Sequence, residues 1–342
     1  MRGLRKYLTP FAPDQSGAVS VLYELGGILV ICDAGGCTGN VCGFDEPRWN
    51  ATRSAVFSAG LRDMDAILGR DDKLVGELLD AAAKIDADFA AIIGTPVPSV
   101  IGTDYRALRR MTEQKRALPV LTIDTTGMEL YDVGAEKAYY ALFDRFATDP
   151  LPVIPGRTGV LGVNPLDSSD LHAAEKIKSK CPGAVCYGMG TTLEDVMRAA
   201  AAEKNIVAAP SGLKTARLLE ARFGTPYEVL DPLADDLLPP GDYAGKRILI
   251  IHQQVTANTL RQRLLNLGAL SVTCATWFLR KPELAQPGDL CLTEEDDFEA
   301  LVMEGNFDLL IGDPTLWRIV PDYTGTTIDL PQFPVSGKLG GT

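Results

Sequence analysis

Short apolar runs recur along this chain, and each opens into a loop of glycine and small polar residues that leads to a helix-period segment. The runs lie at residues 28–31, 55–58, 89–93, 119–123, 158–163, 205–209, 248–251, 270–274 and 307–313. Unbroken apolar runs of this length read as strands buried on both faces. Between them, segments such as 71–84 carry Leu74, Val75, Leu78 and Leu79 at helical spacing, with acids on the other side. Helices are also expected at 14–25, 105–115, 135–146, 211–223, 258–267 and 294–304. Strand, loop and helix in that alternation predict α/β architecture, with parallel sheets covered by helices on both faces.

The grammar repeats three times. The spacing predicts a first unit over 1–155, a second over 156–243, a third over 244–330, and a tail, 331–342, packing back on the body. With 342 residues and 46% hydrophobic composition the chain has material for sizeable cores. In open parallel sheets ligands sit beyond the carboxyl ends of the strands, so the three units are expected to face a shared cleft.

Net charge is −12 and no basic stripe offsets it, which argues against nucleic acid and anionic membrane as partners. Residues 1–7 are basic but lead into Thr9-Pro10-Phe11 rather than an apolar core, so no signal peptide is expected. The longest apolar stretch, 17–32, contains Glu24 and is too short to span a bilayer. A cytoplasmic protein with reduced thiols is the expectation.

The first strand opens into Cys32-Asp33-Ala34-Gly35-Gly36-Cys37-Thr38-Gly39-Asn40-Val41-Cys42-Gly43. Glycines let a backbone approach a ligand closely, and converging thiolates suit a soft metal centre. The alternative is a tight turn with inert, buried cysteines. Cys32, Cys37 and Cys42 are the candidate metal ligands, with Gly35 and Gly36 as the backbone against the cofactor. Cys181 and Cys186 share the five-residue spacing, which is not the two-residue gap common in zinc sites. No phosphate-binding loop, dinucleotide fingerprint or serine-hydrolase elbow is present, so neither an ATPase nor an NAD enzyme is expected. His172 reads as exposed, and His252 as structural though at a strand end. Asp33, Asp45, Glu46, Asp104 and Asp124 are acid/base candidates or ordinary turn and cap residues. No catalytic residue is assigned. Arg48 and Trp49 bound a pocket or pack the loop on the fold.

Several stretches together resemble the nitrogenase component 1 family. Residues 32–37 are similar to its His-Gly-x-x-Gly-Cys cluster loop, with Cys32 where the His stands. Residues 54–74, ending Gly69-Arg70-Asp71-Asp72-Lys73-Leu74, resemble its Gly-Gly-x-x-Lys-Leu segment. Ile101-Gly102-Thr103-Asp104 resembles its Ile-Gly-Asp-Asp segment, and residues 190–198 and 205–227 resemble its second domain. The resemblance implies three Rossmann-like domains around a cleft and an iron–sulfur cluster, 4Fe-4S in type. It implies a homodimer or heterodimer, and low-potential electrons from an ATP-dependent reductase partner for reducing a small molecule. Departures accompany it. Thr95 replaces an expected cysteine. The N-terminal cysteine is missing, with Asp14 nearby as a possible fourth ligand alongside solvent or a second chain. Ala209 stands where the large cofactor's cysteine would be, so neither an iron–molybdenum cofactor nor dinitrogen reduction is expected. A cofactor-assembly scaffold or carrier is the alternative function.

Overall fold

A computed structural model describes residues 5–49 and 54–340. Among them three sheets form, and every neighbouring strand pair is parallel. The first contains β1 (Gly27–Ile31), β2 (Ala55–Ser58), β3 (Phe89–Ile93) and β4 (Val120–Ile123), in the order β2-β1-β3-β4. The second contains β5 (Ile154–Leu161), β6 (Ala184–Cys186), β7 (Ala202–Val207) and β8 (Tyr227–Val229), in the order β6-β5-β7-β8. The third contains β9 (Arg247–Ile251), β10 (Ser271–Thr276), β11 (Leu290–Cys291), β12 (Leu309–Gly312) and β13 (Thr326–Asp329), in the order β11-β10-β9-β12-β13. The α/β class and the parallel sheets stand as the sequence pattern predicts.

β1 and β3 are buried along their whole length. Their side chains alternate between two cores, as the strand period requires. Leu29, Ile31, Ala91 and Ile93 face a core shared with the helices Asp14–Leu22 and Tyr131–Phe146. Ile28, Val30, Ala90 and Ile92 face Leu74, Val75 and Leu108 on the other side.

Several elements differ from expectation, among them the short strands β6, β8 and β11, which lie outside the predicted runs. β5 starts at Ile154, four residues ahead of the run expected at 158–163, with Pro155-Gly156 accommodated by a register shift between Ile154 and Thr158. β13 lies just ahead of the 331–342 tail, where no strand is expected, and adds an edge strand to the third sheet. The first helix stops at Leu22 rather than near residue 25.

Candidate functional site

The loop after β1 is a helix. Gly35 holds φ at +116°, a conformation that glycine adopts without strain, and the helix Gly36–Asn40 follows. It continues as a wider π turn over Val41–Asp45. Asp33 anchors the first turn: its carboxylate accepts the Thr38 N–H at 2.8 Å, the Thr38 hydroxyl at 2.9 Å and the Ser58 hydroxyl at 2.6 Å. Asp45 anchors the far end, accepting the Ser16 hydroxyl and the Asn40 side-chain N–H, both at 2.7 Å.

The three loop cysteines have different surroundings. Cys32 continues the phase of Ile28 and Val30 and lies in the core with Leu74 and Leu108. Its N–H donates to the Ile93 carbonyl at 2.8 Å, and its carbonyl accepts the Thr95 hydroxyl at 2.6 Å. Burial, then the Asp33 charge, pushes its thiol up to about 12. Cys37 and Cys42 are half-buried: Cys37 packs against the core that holds Leu29 and Ile31, and Cys42 lines a cleft. Burial and Asp33 raise both of their thiol pKa values, with Asp14 adding to the shift at Cys37 and Glu46 at Cys42. Among the described residues no group of three or more His, Cys, Asp or Glu side chains is arranged to hold a metal ion. The structure therefore sets Cys37 and Cys42 apart from Cys32.

Gly36, Gly39 and Gly43 share one property. A Cβ added at any of them would meet no atom within 4 Å, and none has a positive φ. Packing within the chain does not require glycine there, and the bare backbone leaves room for something outside the chain. Cys42, Gly43 and Asn40 line a cleft of about 1340 Å³ whose other walls are residues 9–13 and 331–339. β2 and β3 flank β1, and the helices that follow them, Asp63–Leu68 and Pro96–Ile101, touch and expose Ile67, Leu68, Val100 and Ile101, with Val100 at 85% exposure.

The other sequence candidates are engaged elsewhere. Asp14 accepts the N–H groups of Thr126 and Gly127 at 2.8 and 2.7 Å, fixing the loop after β4. Asp104 caps the helix Tyr105–Lys115 through the N–H groups of Arg106 and Ala107. Asp124 is exposed and pairs with Lys137 at 3.3 Å. Glu46 pairs with Arg48 at 2.7 Å. Cys181 packs at the edge of the second-sheet core and Cys186 lies within it. His172 is exposed and meets Glu175 at 2.6 Å. Ala209 is fully buried against Gly162.

Arg48 is a clamp that the sequence left undecided. Its guanidinium donates to Glu46, to Glu24 at 2.8 Å, to the Ser20 carbonyl at 2.7 Å and to the Gly188 carbonyl at 2.9 Å. Glu24 also accepts the Gly190 N–H at 2.6 Å. The pair ties the cysteine-bearing segment to the second sheet's loop. A second recess, which the sequence marked only as strand-end loops, lies between the second and third sheets. It holds Asp167 and His252, both buried. The Asn164-Pro165 helix start that places Asp167 was its sequence signal.

Three parallel sheets with a thiol-bearing helix at one carboxyl edge define the class of fold, that of solved nitrogenase chains. The structure described as nitrogenase Cp1 at pH 6.5 aligns with a TM-score of 0.74 and 12% identity, covering 100% of this chain and 89% of that one. Nitrogenase Cp1 at pH 5 aligns with a TM-score of 0.69 and 15% identity, covering 97% and 85%. At these identities the likeness is one of fold. The family is given by sequence: the model for nitrogenase component 1 type oxidoreductase matches residues 15–235, and the chain belongs to that family. No curated protein matches its sequence. No helix among the described residues is long and apolar enough to cross a membrane.

Proposed function

We propose that this chain is the substrate-reducing subunit of a nitrogenase-like iron–sulfur oxidoreductase. It takes low-potential electrons from an ATP-dependent reductase partner and reduces a small molecule other than dinitrogen. The observation that carries this is the pair Cys37 and Cys42, half-exposed on a helix whose glycines meet nothing in the chain. The donor set fits: two half-buried thiols suit a soft iron–sulfur centre, and a second copy seated on the apolar face of Ile67 and Val100 brings the other two. A cluster held there supplies one-electron storage at low potential. Cys32 has no part in it, because its thiol belongs to the core. Asp14 has none either, since its carboxylate holds the loop after β4. Ala209 offers no thiol for a larger cofactor, which supports reading this chain as one without iron–molybdenum cofactor.

The chain's own residues set the conditions of loading. Asp33 fixes the helix, and burial together with the Asp33 charge raises the neighbouring thiol pKa values, so metal binding must displace protons. Iron loading is therefore expected to weaken as pH falls.

Anaerobic purification followed by iron and sulfide analysis tests the assignment. About four irons per two chains are expected. Cys37→Ser and Cys42→Ser should each lose the iron, while Cys32→Ser keeps it and is only less stable. Ile67→Asp should give monomers without iron. Iron retained in Cys42→Ser but lost in a folded Cys32→Ser protein would overturn the ligand set.

A further inference from the structure

The cleft that Cys42 lines lies beyond the carboxyl ends of strands from two sheets. Cys42 and Phe44 come from the segment after β1, Gly127 from the loop after β4, and Phe333 and Lys338 from the tail after β13. That is where parallel sheets place their ligands. At about 1340 Å³ the cleft exceeds the roughly 300–1,000 Å³ of ordinary small-molecule sites. A single small ring would leave most of it to water, so the space suits an extended body.

Its walls are aromatic and open. Phe44 is 76% exposed and Trp49 42% exposed, and both line the cleft. Trp49 rests on Tyr23, with ring centroids 6.1 Å apart, and keeps the rest of its surface free. Phe11 and Phe333 line the other walls. Large apolar side chains left open together in a concavity mark a binding site, and flat π faces favour a flat ring as the occupant.

The charges give the other half of the ligand. Glu46 is paired with Arg48, and Asp45 accepts the Ser16 hydroxyl and the Asn40 amide. Both carboxylates of the cleft are therefore engaged within the chain. Lys338 is the one cation lining it, and among the described residues no carboxylate pairs with its ammonium. The backbone beneath Lys338 is fixed: its N–H donates to the Ser336 hydroxyl at 3.3 Å, and that hydroxyl donates to Asp313 at 2.6 Å. One unpaired ammonium matches one negative charge. A phosphate monoester carries close to two, and the second would be left unmatched near Asp45.

We infer that this cleft binds an extended aromatic carboxylate, its rings against Phe44 and Trp49 and its carboxylate on Lys338. If the electron-transfer reading above holds, this names the substrate class, because Cys42 lines the same cleft. The binding itself is built from one chain and needs no iron.

The test is fluorescence anisotropy on the anaerobically purified full chain with pyrenebutanoate as the probe. Pyrenebutanol keeps the rings without the charge, and decanoate keeps the charge without the rings. Pyrenebutanoate should bind saturably, and about three- to fivefold tighter than pyrenebutanol, the worth of one exposed ion pair. Decanoate should compete about tenfold more weakly than unlabelled pyrene acid, for want of aromatic contacts. Lys338→Met and Phe44→Ser change exposed side chains and do not endanger folding. Lys338→Met should bring the acid down to the affinity of the alcohol, and Phe44→Ser should weaken both by about fivefold. Ile67→Asp, outside the cleft, should leave the affinity unchanged. Equal affinity for acid and alcohol, decanoate competing as well as the pyrene acid, no effect of Lys338→Met or of Phe44→Ser, or binding lost in Ile67→Asp would each overturn the inference. Iron content, measured on the same samples, separates the two readings: protein that lacks iron and still binds the probe counts against the cluster assignment alone.

Discussion

Replacing Arg48 with methionine should destabilise the protein by about 3–5 kcal/mol, the cost of removing one partner from a buried ion network. Arg48 and Glu46 side chains are 7% and 1% exposed, and Glu24 is 21% exposed. Methionine fills much of the volume, so the loss is electrostatic. Two carboxylates would face each other without a cation, and the carbonyls of Ser20 and Gly188 would lose their donors. A lysine cannot restore this, because one ammonium does not reproduce the fork that reaches Glu46 through two nitrogens. Arg48→Lys should therefore recover less than half of the loss. Adding Glu46→Gln to Arg48→Met should recover part of it, since one uncompensated charge is gone. Urea unfolding measures the cost. Chymotrypsin cleavage at exposed Phe44 or Trp49 measures the local loosening and should accelerate in Arg48→Met. A stability change below about 1 kcal/mol would show that the network is no stronger than a surface pair.

That network explains where sequence reading stops. β2 at Ala55–Ser58, β3 at Phe89–Ile93 and the helix Tyr105–Lys115 have the bounds that the apolar runs and the Asp104 cap predict. Those signals are local. The helix Gly36–Asn40 is not legible in the same way, because a run with Gly36 and Gly39 has poor helix propensity. It forms because Asp33, Ser58, Asp45 and Ser16 hold both ends, and two of those four come from other elements. The division of the cysteines was partly legible. Cys32 continues the period-two phase of Ile28 and Val30, which directs it into the core, while Cys37 and Cys42 lie past the turn. Partners far apart in sequence, such as Arg48 with Gly188 or Asp167 with Ser211, leave no local signal.

The second large effect is expected at Gly134. It lies in the helix Tyr131–Phe146 where that helix crosses Asp14–Leu22, and the two backbones approach through a reciprocal pair of glycines. A Cβ at Gly134 would stand 1.7 Å from the Asp14 carbonyl oxygen, and one at Gly17 would stand 1.7 Å from the Tyr131 carbonyl oxygen. Two effects of opposite sign compete in Gly134→Ala. Alanine is the better helix former by about 1 kcal/mol. Against that, the colliding atom is backbone, and the helices must separate by about an ångström or more to relieve it. Overpacking costs about 1–3 kcal/mol and occasionally more, and against a backbone atom the upper end of that range applies, so the clash wins. Gly76 is the control: it lies within the helix Asp71–Ala82, and a Cβ there meets nothing within 4 Å. Gly76→Ala should raise the stability by about 0.5–1 kcal/mol, the propensity gain alone. Opposite signs in thermal unfolding are the expected result; stabilisation by both would mean the two helices do not approach so closely. The displacement also reaches the site. Asp14 holds the loop after β4, and Ser16 holds Asp45 and through it Asn40. Moving the first helix therefore releases the far end of the segment that carries Cys37 and Cys42. Gly134→Ala should lose iron as well as stability, whereas Gly76→Ala should retain its iron.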